Sequence, residues 1–286
     1  MPVDPQFDVN DFVRRVLAED LGSGGDITSA ATIDAGARFT AEMNCRQPIT
    51  IAGLDIATAF FRALDQGVRI DKPTRDGESV AAGTVLIRLE GNARAMLAAE
   101  RSALNTLQHL SGIATLTSQY VDLIEGTGAT LLDTRKTIPG LRLLEKYAAR
   151  MGGAENHRIR LDDGLLIKDN HVAVAGGVAE AVEAAKAADT GFPVQVEVDR
   201  IEQIEPALAA GADRLLLDNM PPPVLREAVA LVAGRVPLEA SGGVNLETIR
   251  GIAETGVDYI SVGRITQSAP AVDIGLDYSL QREPAD

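Results

Sequence analysis

Cysteine occurs once in this 286-residue chain and histidine three times. A lone Cys45 cannot make an internal disulfide, and with three scattered histidines it offers no ligand spacing for a zinc site. Such usage fits a reducing cytoplasm, the expected location, although many exported chains are equally poor in cysteine. Basic residues are scarce as well. The chain has 27 Lys and Arg against 41 Asp and Glu, a net charge of -14. A nucleic-acid or anionic-membrane surface needs a clustered basic face, so neither partner is expected. No apolar run approaches the roughly 20 residues of a membrane helix, and no basic start followed by an apolar stretch marks a secretory signal.

What is present suffices for one large domain or two modest ones. The pattern changes near residue 112. Before it, Phe39 to Arg46 partly alternates like a strand, Leu54 to Leu64 has helical spacing, and turn glycines flank the β-rich Thr84 to Leu89. This predicts a small α+β domain over residues 1–111. Asp76-Gly77-Glu78 through Ala82-Gly83-Thr84 resembles a lipoyl-type hairpin, but no lysine stands at its turn to carry a cofactor. Ala93 to Glu125 reads as helix broken at Gly112. Arg101, Asn105, Gln108, His109 and Gly112 share one of its faces, either lining a site or simply meeting solvent.

From Thr130 a rhythm of short apolar runs sets in: Thr130 to Leu132, Leu165 to Ile167, Val194 to Val198, Arg214 to Leu217, Pro237 to Glu239 and Tyr259 to Val262. Helical stretches lie between most of them. Strand and helix alternation predicts a parallel sheet, and six right-handed units favour a barrel over an open doubly wound sheet. The barrel domain is placed at 112–271, followed by a tail at 272–286.

Nearly every run ends in residues unsuited to a core. Asp133-Thr134-Arg135-Lys136, Lys168-Asp169-Asn170-His171, Glu197 with Asp199, Asp218-Asn219, Ser241-Gly242-Gly243 and Gly263-Arg264 follow in order. In an α/β barrel such ends meet at one mouth, where active sites lie. Small residues after the last strands admit a phosphate to backbone amides, or merely form turns. Arg135, Arg158 and Lys168, with His157, suit a small dianion. Glu197 and Asp218 suit ribose hydroxyls, Mg²⁺ or a developing positive charge, unless they pair with the basic residues. His109 and His171 read as structural.

These segments together resemble the quinolinate phosphoribosyltransferases, over almost the whole chain. The resemblance is carried by Glu19-Asp20-Leu21-Gly22, Gly25-Asp26-Ile27-Thr28, Glu100 through Asn105, Ser111 through Thr115, and Asp133 through Thr137. It continues in Asn156-His157-Arg158, Leu166 through His171, Glu197-Val198-Asp199, Leu217-Asp218-Asn219 and Glu239 through Gly243. It implies an incomplete parallel α/β barrel with an N-terminal α+β sandwich-like domain, and a homodimer, or a larger hexamer, with sites at the subunit interface. By the same resemblance Thr134, Arg135, His157, Arg158 and Lys168 hold quinolinate, joined by Arg101 of a second copy. Lys136 meets the pyrophosphate of phosphoribosyl pyrophosphate, Glu197 and Asp218 its ribose and Mg²⁺, and Ser241, Gly242, Gly243 and Gly263 its 5-phosphate. Lys136, Glu197 and Asp218 are the expected catalytic residues. The expected reaction yields nicotinate mononucleotide, pyrophosphate and CO₂.

Two segments depart from the family pattern. Ala154-Glu155 stands where a glycine-rich turn is common, and Arg264-Ile265-Thr266-Gln267 where a small residue, Leu, Thr and often His are usual. Three other readings are open: a phosphoribosyltransferase-like protein associated with molybdenum transport, an aldolase or isomerase using Lys168, and an inactive small-anion binding protein.

Overall fold

The computed structural model describes residues 4–279. Its first helices open on carboxylates. Asp8 accepts the N–H of Asp11 at 2.9 Å at the start of α1 (Val9–Leu21), and Asp26 that of Ser29 at 2.9 Å at the start of α2 (Ile27–Thr32). Each answers an amide that the helix leaves without a partner, and places negative charge at the positive end of the helix dipole. There follow β1 (Arg38–Cys45), β2 (Ile49–Thr50), α3 (Leu54–Leu64), β3 (Arg69–Asp71), β4 (Ser79–Val80), β5 (Val85–Asn92) and α4 (Ala93–Ile124). Then come β6 (Thr130–Leu132), α5 (Arg142–Met151), β7 (Leu165–Ile167), α6 (Asp169–Ala175), α7 (Val178–Ala187), β8 (Val194–Val198) and α8 (Ile204–Ala209). The remainder is β9 (Arg214–Asp218), α9 (Pro222–Val232), β10 (Leu238–Ser241), α10 (Ile249–Ala253), β11 (Tyr259–Ser261), α11 (Arg264–Gln267) and β12 (Ile274–Ser279).

These elements form two compact units. One holds the chain up to Leu116, Leu143–Gly152, and the chain from Ala269 onward; the other holds Thr117–Arg142 and Gly153–Ser268. The expected division at 111/112 therefore falls inside the continuous α4, and the segment around α5 joins the first unit although it lies between two barrel strands in sequence.

In the first unit an antiparallel sheet runs β12-β1-β5-β3. Its core is aliphatic with few rings: Met43, Ile51, Phe60, Phe61, Leu86 and Ile87 are fully buried, each contributing roughly 2 kcal/mol of burial. The expected tail at 272–286 is corrected over Ile274–Ser279, which pairs with β1 from Cys45↔Ile274 to Thr40↔Ser279. The rest of that expected tail lies outside the described residues, apart from 272–273. Asp76 accepts the N–H groups of Gly53 at 2.9 Å and Leu54 at 3.1 Å, and the Tyr147 hydroxyl at 2.5 Å, so it caps α3 and anchors α5 together.

The break expected at Gly112 does not occur. α4 runs through it, and the glycine serves close packing instead: a Cβ there would stand 2.2 Å from the carbonyl oxygen of Pro270.

The second unit is a six-stranded parallel sheet in the order β6-β11-β10-β9-β8-β7. Buried Val196, Leu215, Leu217, Ala240 and Ile260 lie along its strands, with Val182, Leu225, Ala228 and Ile249 on the covering helices. No ladder joins β6 to β7, so the barrel is incomplete. Among the described residues the other edge of β6 is met by Glu155, whose N–H donates to the carbonyl of Leu131 and whose carbonyl accepts the N–H of Asp133. Ala154-Glu155 thus forms a single bridge of sheet structure at this edge.

Candidate active site

Side chains in a strand point alternately to opposite faces, and this parity builds the site. Leu166 and Lys168, Glu197, Leu216 and Asp218, Glu239 and Ser241, Ser261 and Gly263, and Thr134 and Lys136 each lie two residues apart or in phase. All of them line one cavity of about 760 Å³ in the second unit. Arg135, His157, Arg158, Gly242, Gly243, Arg264 and Gln267 complete the wall from the connecting loops. A volume of this size suits a ligand of metabolite dimensions.

Every residue expected at the site is therefore in this wall except Arg101. That arginine is exposed on α4, lies outside the cavity lining, and has no side-chain ion pair or hydrogen bond among the described residues. The rest of the polar stripe on α4 divides. Gln108 donates to the carbonyl of Ile274 at 2.8 Å, and His109 Nε2 bonds the buried Glu145 at 2.9 Å, so both are structural. His171 Nδ1 accepts the N–H of Lys168 at 2.9 Å and caps α6.

Charge is segregated within the cavity. Burial, then the nearby Arg135, pushes the Arg158 guanidinium below its ordinary range. Buried Arg135 Nε has no hydrogen-bond partner among the described residues. Burial, then Glu197, pushes the Asp218 carboxyl above the usual carboxylate range. Each like-charged pair is costly alone and is relieved by a ligand of opposite character. Between them Lys168 Nζ meets Glu197 Oε2 at 2.7 Å, an exposed cation on a largely buried acid.

The glycine end is equally specific. Gly242 and Gly243 have φ of +93° and +62°, a left-handed backbone that glycine adopts without steric cost. At Gly263 a Cβ would meet Lys136 Cδ at 2.7 Å, so glycine keeps the path of that lysine open. The Thr266 hydroxyl donates to the Lys136 carbonyl at 2.7 Å, and Thr134 Oγ1 accepts the Lys136 N–H at 3.0 Å, fixing its backbone from both sides.

Magnesium fits this donor set only in part from the protein. Among the described residues no cluster of three or more His, Cys, Asp or Glu could hold a metal. Glu197 and Asp218 are hard oxygen donors on neighbouring strands, and Mg²⁺ commonly takes one or two carboxylates with substrate phosphate oxygens and water completing its shell.

Beneath the mouth lies a polar layer that the strand pattern did not reveal. Glu239, fully buried, takes the Gln195 amide at 2.8 Å on Oε2 and lies 2.8 Å from Arg214 Nη2, an ion-pair contact without hydrogen-bond alignment. The Arg214 guanidinium in turn sits 3.8 Å above the Tyr259 ring centroid. A signal was available: Gln195, Arg214 and Glu239 interrupt apolar runs in the same phase as Glu197, Asp218 and Ser241.

Known proteins resemble this chain along nearly its whole length. Two family models match in tandem, the N-terminal domain of quinolinate phosphoribosyl transferase over residues 26–111 and its C-terminal domain over 113–277. A Mycobacterium leprae (strain TN) protein named nicotinate-nucleotide pyrophosphorylase (carboxylating) is 46% identical over 283 residues, covering 96% of this chain and 99% of its own. A Nicotiana tabacum protein, quinolinate phosphoribosyltransferase (decarboxylating) 2b, mitochondrial, is 38% identical, covering 96% and 83%. The solved nicotinate-nucleotide pyrophosphorylase of Francisella tularensis superposes with a TM-score of 0.91 at 44% identity, covering 95% of this chain and 96% of that one. The chain belongs to the quinolinate phosphoribosyltransferase family.

Proposed function

We propose that this chain joins quinolinate to phosphoribosyl pyrophosphate, releasing pyrophosphate and CO₂ and leaving nicotinate mononucleotide. The observation that carries the reading is the juxtaposition of Arg135 and Arg158, a half-buried cationic pair in which Arg135 Nε has no hydrogen-bond partner among the described residues, in one cavity with the Glu197 and Asp218 pair. Guanidinium groups grip carboxylates in a planar, bidentate fashion, so the first pair with Lys168, Thr134 and His157 is assigned the pyridine dicarboxylate. The second pair is assigned the ribose and Mg²⁺. Lys136 is assigned the pyrophosphate end, and Ser241, Gly242, Gly243 and Gly263 the 5-phosphate.

Chemistry follows from the charges. The bond from ribose C1 to pyrophosphate breaks, and Lys136 offsets the charge on the departing group. Glu197 and Asp218 stabilise the positive charge left on the sugar. When bound, Mg²⁺ supplies further neutralisation of the phosphate oxygens. With the carboxylates of quinolinate held by Arg135 and Arg158, the free pyridine nitrogen donates its lone pair to C1. The pyridinium so formed withdraws electrons from C2, whose carboxylate departs as CO₂, and the electron pair left on C2 takes up a proton. The site's contribution is orientation and exclusion of water from the sugar cation.

A homodimer is part of this proposal, since exposed Arg101, unpaired among the described residues, is available to the cavity of a second copy. A cytoplasmic location is also proposed, with which the buried, unpaired Cys45 thiol is compatible. No described helix is long and apolar enough to cross a membrane.

The test is an assay of purified protein with quinolinate, phosphoribosyl pyrophosphate and Mg²⁺, following nicotinate mononucleotide and CO₂ together, with nicotinate as competitor. Matched formation of both products is expected. Turnover of nicotinate with quinolinate inert would overturn the substrate assignment, and binding without pyrophosphate release would favour an anion-binding protein.

A further inference from the structure

Asn219 follows directly on the strand that ends in Asp218, and its backbone is left-handed, with φ of +55°. Residues with a Cβ rarely adopt this conformation, and Asn and Asp tolerate it best. Three contacts hold it there. Its N–H donates to the carbonyl of Ser241 at 2.8 Å, tying the end of β9 to that of β10. Its side-chain Nδ2 donates to Asp218 Oδ2 at 2.5 Å. Its Oδ1 fills the space beside Gly242, where a Cβ would stand 2.2 Å away from it.

A tight turn alone does not call for an amide, because glycine reaches the same φ at less cost. Backbone strain that persists in a cavity wall indicates that the side chain is wanted in that place. We propose that Asn219 is a positioning residue of the phosphoribosyl subsite: its amide clamps one carboxylate oxygen of Asp218 and so presents the other to a ribose hydroxyl of phosphoribosyl pyrophosphate. Gly242 is then glycine in part to leave room for that amide. The inference rests on the proposed reading of the cavity.

The charges around Asp218 explain why a clamp is useful. Glu197 repels it, while Lys168 and Lys136 attract it from elsewhere in the cavity. An unrestrained carboxylate would rotate toward whichever lysine is nearer and lose the orientation that substrate binding needs.

Two variants separate this role from a structural one. Asn219→Gly keeps the backbone conformation and removes the amide. Asn219→Asp keeps the conformation and the shape but exchanges the donor for a negative charge beside Asp218, so it should weaken binding further than the glycine variant. Calorimetric titration with phosphoribosyl pyrophosphate and steady-state kinetics would be run on both and on the wild-type chain. The expected result is binding of phosphoribosyl pyrophosphate weakened on the order of tenfold or more, the worth of one hydrogen bond to a charged group, with KM for quinolinate within about twofold of wild type. Should the glycine variant fail to fold, wild-type affinity in the aspartate variant still overturns the inference, since that variant also lacks the donor. Wild-type affinity for phosphoribosyl pyrophosphate in the variants overturns the inference alone, as do equal losses for both substrates. A wild-type chain that binds no phosphoribosyl pyrophosphate overturns the proposed function as well.

Discussion

The imidazole of His157 joins a buried carboxylate to the backbone of a binding arginine: Nε2 lies 3.4 Å from Glu239 Oε2, while Nδ1 accepts the N–H of Arg158 at 2.8 Å. A ring nitrogen that accepts carries no proton, so the tautomer facing Glu239 is Nε2–H. Long-range proton–nitrogen NMR should report that tautomer, and a signal from protonated Nδ1 would contradict it. Burial pushes the Glu239 carboxyl up, but His157, Arg214 and Gln195 outweigh it and hold the group below the usual carboxylate range.

Removal of that carboxylate leaves Arg214 without its counter-charge. Glu239→Ala should therefore cost about 3 kcal/mol, the lower end of the penalty for breaking a buried pair, because Arg214 is partly exposed. Glu239→Gln removes the same counter-charge but keeps the volume and an acceptor for His157, so it should cost somewhat less. Denaturant unfolding measures both, and equal costs would show that Glu239 acts by its charge alone, the one property both variants lack, and not by volume or hydrogen bonding.

The two halves of the cavity should separate in kinetics. Arg158→Ala is expected to raise KM for quinolinate on the order of tenfold to a hundredfold, as for loss of a charge-assisted contact. Lys136→Ala should chiefly lower kcat by impairing departure of pyrophosphate. Steady-state measurement with each substrate varied in turn checks the division, and equal effects of both variants on both substrates would contradict it.

Packing at Gly112 gives a stability prediction. Alanine is the better helix former by about 1 kcal/mol. Its methyl group, however, would meet the carbonyl of Pro270, which is backbone and cannot swing aside. Gly112→Ala should thus be destabilising by about 2 kcal/mol net, the range of overpacked cores. An unchanged or raised melting temperature would refute the close approach.

Asp26 supplies a pH dependence. Hydrogen bonds from Ser29, side chain first and then backbone, hold its carboxyl below the ordinary value of 3.8. A depressed folded-state value means stability that is fully present above the unfolded value and lost as pH falls through the folded one. Asp26→Ala should then cost about 1 kcal/mol at neutral pH, as for a lost helix cap. That difference should shrink in acid below the folded value. Parallel unfolding curves at the two pH values test it, and a constant difference would point to packing.

The sequence was most legible where periodicity is local. The strands at Thr130–Leu132, Leu165–Ile167 and Val194–Val198 and the helix at Leu54–Leu64 stand where their apolar spacing placed them, because burial of one face is decided within a few residues. Strand-end residues were readable for the same reason, since parity alone carries Glu197, Asp218 and Ser241 to one mouth. Contacts between distant segments were not. Ile274, Leu276 and Tyr278 alternate, yet their partner strand lies more than 200 residues earlier. Gly112 looked like a helix breaker because the Pro270 backbone against it is equally remote in sequence. The Glu239 layer was hidden by its own setting, a charge within an apolar run, and the strain at Asn219 is a property of φ that an Asp-Asn dipeptide does not announce.

The order of strands also constrains how the chain can be made. β6 waits for β11 as its partner, and β1 waits for both β5 and β12. Neither sheet is complete until residues 259–279 have left the ribosome, so a long nascent intermediate exposes unpaired strand edges from both units at once. Such edges recruit other chains, and pairings this far apart in sequence form slowly. Synthesis rate and chaperone supply, more than the stability of the finished fold, should govern how much of this protein a cell recovers intact.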